Sequence, residues 1–210
     1  GQERFLHVLA GLASGFAGAA YVGEPGTIEV TGHRQVARNG IAYLPRDRRT
    51  SGIFPLLSIL DNFGLPSMSR CSTFGIVSRR RQRERLKQFA DFLSIRYADL
   101  KAPITTLSGG NQQKVLLARW LALEPRVFLL NDPTRGVDLN TRLKFYDAFR
   151  ELAASSGIAL VILSSEVEEV LEVCDRVFVF RNFELYRELP RAALTMDTVM
   201  ASMFGQETAA

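Results

Sequence analysis

The chain has 210 residues, of which 47% are hydrophobic and 23% charged; this is the length of one large domain and a globular rather than a disordered composition. No window approaches the roughly 18 consecutive apolar residues of a membrane span, the longest apolar runs being short ones such as 158–163. The net charge of +4, from 26 basic and 22 acidic residues, is too small to indicate nucleic acid. Cys71 and Cys174 have neither zinc-site spacing nor the density of a secreted scaffold, so a reducing compartment is expected.

The chain opens at Gly1 without an initiator Met or a signal segment, which reads as a cut at its N-terminal edge with a preceding strand missing. Apolar residues at 5, 6, 8, 9 and 12 predict a buried helix. A stretch rich in Gly, Ala and Pro, 15–26, leads to a short edge-like strand at Thr27, Ile28, Glu29 and Val30, stopped by Gly32. Residues 41–44 predict a buried strand that Pro45 ends, and the polar loop 46–52 is a candidate site. Residues 53–78, with Pro55 and Pro66, read as irregular. Leu86, Phe89, Ala90 and Leu93 then fit a helix with a basic outer face, and 111–123 fit a second one. Strand and helix alternate from there, at 127–130, 139–154, 158–163, 166–173 and 177–180, which predicts a parallel sheet covered on both faces. The last dozen residues read as a frayed tail or a cut edge.

The sharpest chemical signal is Leu107-Ser108-Gly109-Gly110-Asn111-Gln112-Gln113-Lys114, a small-residue turn opening into an apolar helix. Adjacent glycines let backbone approach a ligand, and a helix N-terminus beside a serine hydroxyl suits a phosphate. Alone, such a turn is more often a capped helix. Its context is a buried strand ending in Asn131-Asp132-Pro133-Thr134-Arg135-Gly136-Val137-Asp138, followed by another ending in Ser164-Ser165-Glu166.

Together these three motifs resemble the nucleotide-binding subunit of an ATP-binding cassette (ABC) transporter, most closely the second half of a tandem carbohydrate importer. The resemblance implies an α/β P-loop NTPase fold of the RecA-like type, with 1–60 and 124–210 as core and 61–123 as an inserted helical subdomain. It implies ATP and Mg²⁺ as cofactors, a second ATPase half and a transmembrane permease as partners, and a place at the cytoplasmic face of the membrane. Ser108, Gly109, Gly110, Asn111 and Gln112 would then complete the partner's ATP site, with Asp138 in the loop that crosses between halves.

The departures from that family's pattern cluster at the chain's own ATP site. Gly1, Gln2 and Glu3 fall where the phosphate loop has Gly-Lys-Ser or Gly-Lys-Thr, and losing the lysine's charge-assisted bond costs about 1.5–3 kcal/mol, about tenfold to a hundredfold in affinity. Arg46 stands where a Gln or Glu senses the nucleotide. Asn131 replaces the aspartate that holds magnesium's water. Asp132 replaces the glutamate that polarises the attacking water and sits about 1.5 Å further back, which leaves it a weak candidate base. Ser165 stands where most members have a histidine. The expectation is an asymmetric ATPase whose own site is weak or silent and whose signature serves the partner. The alternatives are a non-hydrolysing regulatory or scaffold half, and a soluble ABC protein that uses the arginine run 79–85 on nucleic acid.

The remaining features have plainer readings. The arginine run lies on a helix with an apolar opposite face and reads as a solvated face, although it also suits docking or a headgroup-facing surface. Residues 53–65 read as core, part of which could receive the permease. Trp120 and Cys174 read as packing residues, and His7 and His33 have no partner at ligand spacing.

Overall fold

A computed structural model describes residues 1–14, 19–21, 29–74 and 76–205. Its helices and strands run in chain order α1 (Gln2–Leu9), α2 (His33–Arg38), β1 (Ile41–Leu44), α3 (Ile59–Gly64), β2 (Ser72–Thr73), β3 (Ile76–Val77), α4 (Arg79–Phe92), α5 (Gly109–Leu121), β4 (Val127–Asn131), α6 (Leu139–Ser156), β5 (Ala159–Leu163), α7 (Val167–Val173), β6 (Arg176–Arg181), β7 (Glu184–Pro190) and α8 (Met196–Phe204). The chain divides into two compact units, Gly40–Val161, and Gly1–Asn39 with Ile162–Ala210.

The Gly40–Val161 unit is organised on a sheet of strand order β1-β4-β5. β1 and β4 are parallel and in register from Ile41↔Val127 to Leu44↔Leu130. All four β1 residues are buried, as are Phe128, Leu129 and Leu130. Burial on both faces explains why these strands read as unbroken apolar runs rather than as alternation. Ala159 opens β5 by donating its N–H to the Arg126 carbonyl at 2.9 Å.

Beside the sheet, α3, α4 and α5 pack through Ile59, Leu60, Phe63, Leu86, Ala90 and 115–118, with the Phe63 and Phe89 rings 6.1 Å apart. Each of these helices starts on a serine. Ser58 Oγ accepts from the Asp61 N–H at 3.0 Å, and Ser78 and Ser108 do the same for Arg81 and Asn111. α6 is capped by Asp138 and ends at Gly157, whose φ of +63° is the left-handed turn that glycine takes without strain.

The other unit carries α1, α2, α7, α8 and the β6–β7 hairpin. The hairpin is antiparallel, with a register shift between Val179 and Phe180. Val179, Leu189 and Val199 form its core, covered by Val167, Leu171, Val177 and Leu194. α8 begins with a reciprocal cap, in which the Thr195 and Thr198 side chains each accept the other's backbone N–H.

Several expectations are corrected here. Residues 53–78 are not irregular throughout. α3 forms where Ser58 and Asp61 cap an apolar turn, and two-residue strands pair at Ser72↔Val77 and Thr73↔Ile76. The segment 53–65 is core only in part, for Ile59, Leu60 and Phe63 are buried whereas Leu56 is 94% exposed. The polar loop 46–52 contains a widened helical turn at Arg48–Gly52. The sheet signal after Val173 is an antiparallel hairpin, and the last dozen residues include most of α8. Thr27 and Ile28 lie outside the described residues, while Glu29 forms an isolated antiparallel bridge to Tyr21. Trp120 and Cys174 are half-buried rather than core.

Candidate functional site

The loop after β1 is shaped by one carboxylate. Asp47 Oδ1 accepts from the N–H groups of Arg49 at 2.9 Å and Thr50 at 3.3 Å, and these bonds hold its carboxyl below the usual range, that from Thr50 first. The chain then closes with the Ile53 N–H on the Arg48 carbonyl at 2.7 Å. Arg46 and Arg48 therefore leave the loop from fixed positions on either side of the cap.

Parallel pairing brings the C-terminal ends of β1 and β4 side by side, and there Arg46 Nε meets Asp132 Oδ2 at 2.8 Å. Arg46 is 45% exposed and Asp132 only 5%. Asp132 also has a φ of +46°, uncommon for a residue with a side chain, at the start of a turn closed by the Arg135 N–H on its carbonyl at 3.1 Å. The candidate base is thus a buried carboxylate already engaged by a cation. Next to it, buried Asn131 donates from Nδ2 to the Tyr43 hydroxyl at 3.2 Å. A neutral amide turned to a phenol and a carboxylate held by a guanidinium are poor ligands for a divalent cation and poor activators of water. These residues do not fit a magnesium-nucleotide centre.

The signature residues are arranged quite differently. Ser108 caps α5 and receives the Asn111 side-chain amide at 3.1 Å, while Asn111 Oδ1 accepts the Arg96 N–H at 2.9 Å. The first-turn N–H groups of Gly109 and Gly110 are the kind that a helix leaves for an anion. Gln112 donates to the Leu107 carbonyl at 3.0 Å and accepts from Arg48 Nε at 3.3 Å. Arg48 Nη1 also donates to the carbonyls of Arg135 at 3.2 Å and Gly136 at 3.5 Å, and Gln113 reaches the Pro133 carbonyl at 2.7 Å. Burial lowers the Arg48 pKa from its ordinary value, with Arg49 adding to the effect. Gly110 lies against α6, where a Cβ would meet the Thr141 side chain at 3.1 Å. Asp138 accepts from Thr141 N at 3.0 Å and Oγ1 at 2.8 Å, and the Thr141 N–H lowers its pKa most. The N-terminal end of α5 and its partners all lie within one unit.

Of the remaining candidates, Gly1, Gln2 and Glu3 open α1 and are exposed, as is Ser165 between β5 and α7; all four belong to the other unit. Three residues to which the sequence reading gave no role of their own stand out. Tyr43 and Arg48 are described above, and Arg119 is 3% exposed on α5. Arg119 donates to the carbonyls of Asn62 and Gly52 and to Asn62 Oδ1, at 2.5, 2.6 and 2.9 Å, and stacks over the Phe54 ring. Burial alone pulls its pKa down to about 10. The sequence signal for it was a charged residue between the apolar positions Ala118 and Trp120.

Comparison with known proteins bears on the family and the fold. The ABC transporter family model matches residues 5–135. A ribose import ATP-binding protein, RbsA 1, of Mesorhizobium japonicum is 35% identical over 203 residues, which is 96% of this chain and 39% of that protein. A putative ribose/galactose/methyl galactoside import ATP-binding protein of Agrobacterium fabrum is 41% identical over 170 residues, 81% of this chain and 34% of that one. The chain thus spans less than half the length of these relatives. Among solved structures, a dimeric ATP-binding cassette in a post-hydrolysis state bound to ADP and Pi superposes with a TM-score of 0.77 at 22% identity, covering 90% of this chain and 80% of that one, a likeness of fold. With the signature turn, the β4 turn and the α/β fold all in agreement, the chain belongs to the ABC transporter family.

Proposed function

We propose that this chain is one half of the ATP-driven motor of a membrane importer for sugars or similar polar solutes, and that its signature completes the ATP site of a partner half while its own site is silent. Residues 61–123 serve as its helical subdomain. Its partners are a second ATPase half, joined to it in the parent chain, and a transmembrane permease that holds both at the cytoplasmic face of the membrane. The relatives, ribose and galactoside import ATP-binding proteins, support the importer reading. The Arg46–Asp132 ion pair carries the asymmetry: the carboxylate needed to activate water is buried and neutralised, whereas the α5 N-terminus is intact and open to an anion. ATP and its Mg²⁺ are then bound productively by the partner's phosphate loop, against Ser108, Gly109 and Gly110, with Asp138 beside the interface.

Phosphate release by the complete parent protein with its permease tests this. Ser108→Asp and Ser108→Asn both retain a good helix cap, but only the first sets a carboxylate against the partner's terminal phosphate. At about 5 Å and an effective dielectric of about 20 that repulsion is about 3 kcal/mol, a loss of turnover on the order of a hundredfold. Ser108→Asn should stay within about tenfold of wild type, and Asp132→Asn should change turnover less than about threefold. Large loss with Asp132→Asn would show that the site with the ion pair hydrolyses ATP. Indifference to Ser108→Asp would favour a scaffold half instead.

A further inference from the structure

Arg48 joins three segments that are remote in sequence, and the reading above gives it no task. From the capped turn 47–52 its guanidinium reaches the Gln112 side chain through Nε and the Arg135 and Gly136 carbonyls through Nη1. The two edges of one rigid planar group are thus committed to two different motifs. Gln112 passes the connection on, since its amide nitrogen donates to the carbonyls of Leu107 at 3.0 Å and Ile104 at 3.4 Å, immediately before Ser108.

In the signature turn, Gly109 makes room for this. A Cβ at Gly109 would collide with Arg48 Nη2, and one at Gly136, where φ is +68°, would lie 3.4 Å from Nη1. Electrostatics alone does not explain the arrangement. A helix N-terminus repels a cation, and burial weakens the hold of Arg48 on its proton. Three acceptors keep the side chain there against both effects.

We propose that Arg48 is a positioning residue for hydrolysis at the partner half, a guanidinium spacer that fixes the signature turn at 107–110 relative to the turn at 135–136. The inference rests on the reading that the signature completes the partner's ATP site. Two surfaces that must meet one nucleotide need a set separation, and errors on the ångström scale at such a site cost about a hundredfold in rate. Arg48 acts through Gln112 and two carbonyls, so its role is met by shape and not by charge alone.

The test is ATP turnover of the full parent protein with permease, comparing Arg48→Lys and Arg48→Gln with Arg49→Gln as a neighbouring exposed control. The expected result is a fall in kcat of at least about tenfold in both Arg48 variants, with KM for ATP changed less than about threefold, because the partner's phosphate loop is untouched. The melting temperature should stay within about 2 °C of wild type, since Arg48 lies outside the core, and the control should behave as wild type. Rescue by lysine to within twofold would overturn the inference, because a point charge cannot span the three acceptors. A fall in kcat matched by a fall in melting temperature would also overturn it, leaving a brace of the fold. Ser108→Asp run alongside separates the two levels. If it abolishes turnover while the Arg48 variants do not lower it, the importer reading stands and Arg48 alone is misassigned. If Ser108→Asp is silent, the reading falls and the Arg48 inference with it.

Discussion

Replacing Arg119 by methionine removes a buried cation while keeping an unbranched side chain of similar reach. Three acceptors then lose their donor: the carbonyls of Gly52 and Asn62, and Asn62 Oδ1. Asn62 Oδ1 keeps the Phe54 N–H, but the two carbonyls are left unsatisfied, and at about 1–3 kcal/mol each they cost about 4 kcal/mol together at the middle of that range. The offset is the release of a guanidinium held away from water, and a pKa lowered to about 10 puts that cost at about 3 kcal/mol. The balance is a destabilisation of about 1 kcal/mol, or a melting temperature lowered by about 2–4 °C for a domain of this size. The loss should be local as well as global. Asn62 Oδ1 also receives the Phe54 N–H at 2.9 Å, so amide hydrogen exchange at Phe54 and its neighbours should accelerate in Arg119→Met before the rest of the unit does. Calorimetry and hydrogen exchange on the parent protein measure both effects. A variant as stable as wild type, with Phe54 exchange unchanged, would refute the reasoning and show that the burial of the cation costs as much as its bonds return.

Cys174 should alkylate slowly. Burial pushes its thiol up to about 11, so at pH 8 its thiolate fraction is about a thousandth and its reaction with iodoacetamide about two hundredfold slower than that of a free cysteine. Equal rates would show that the thiol is open to solvent. Stability should also fall in acid through Asp61, whose carboxyl the Ser58 hydroxyl first and Arg79 next hold below its ordinary value. A depressed folded pKa gives stability that is full above the unfolded value and is lost as pH falls from there through the folded one. A melting curve measured from pH 6 downward should therefore decline less steeply below about pH 4 in Asp61→Asn than in wild type. Identical slopes would remove Asp61 from the account.

The parts of the fold legible in the sequence are those with a strong period. β1 and β4 announced themselves as apolar runs because both faces are covered, and α5 because Val115, Leu116, Ala118 and Leu121 recur at helical spacing. β2 and β3 are two residues each, too short for any alternation to register. In β7 only Leu189 is buried, so Glu184–Pro190 reads as polar sequence although every one of its residues is in a strand. α3 was readable in principle, from Ser58 and Asp61 three residues apart, but Pro55 and Pro66 outweighed it. At the site, the motifs named candidate residues and not how they pair. Arg46 and Asp132 are 86 positions apart and meet only because β1 lies beside β4. The reversed charge at position 46 was visible in the sequence, but its ion pair with Asp132 was not. Arg48 lay in the candidate loop 46–52 without a role of its own and Arg119 drew no reading, since a sequence does not distinguish an arginine facing water from one facing carbonyls.

Helix α5 has a mechanical property that follows from its burial. It is about 20 Å long, is clasped on several sides by packed residues, and carries Gly109 and Gly110 at one end and Arg119 toward the other. Arg119 grips the backbone at Gly52 and Asn62, and Asn62 in turn grips Phe54, Leu57 and Ser58 around the exposed Leu56. Side-chain hydrogen bonds and one continuous helix thus join that exposed loop to the signature turn. Any load borne by the loop at Leu56 therefore rests, through Asn62 and Arg119, on the helix that presents Ser108.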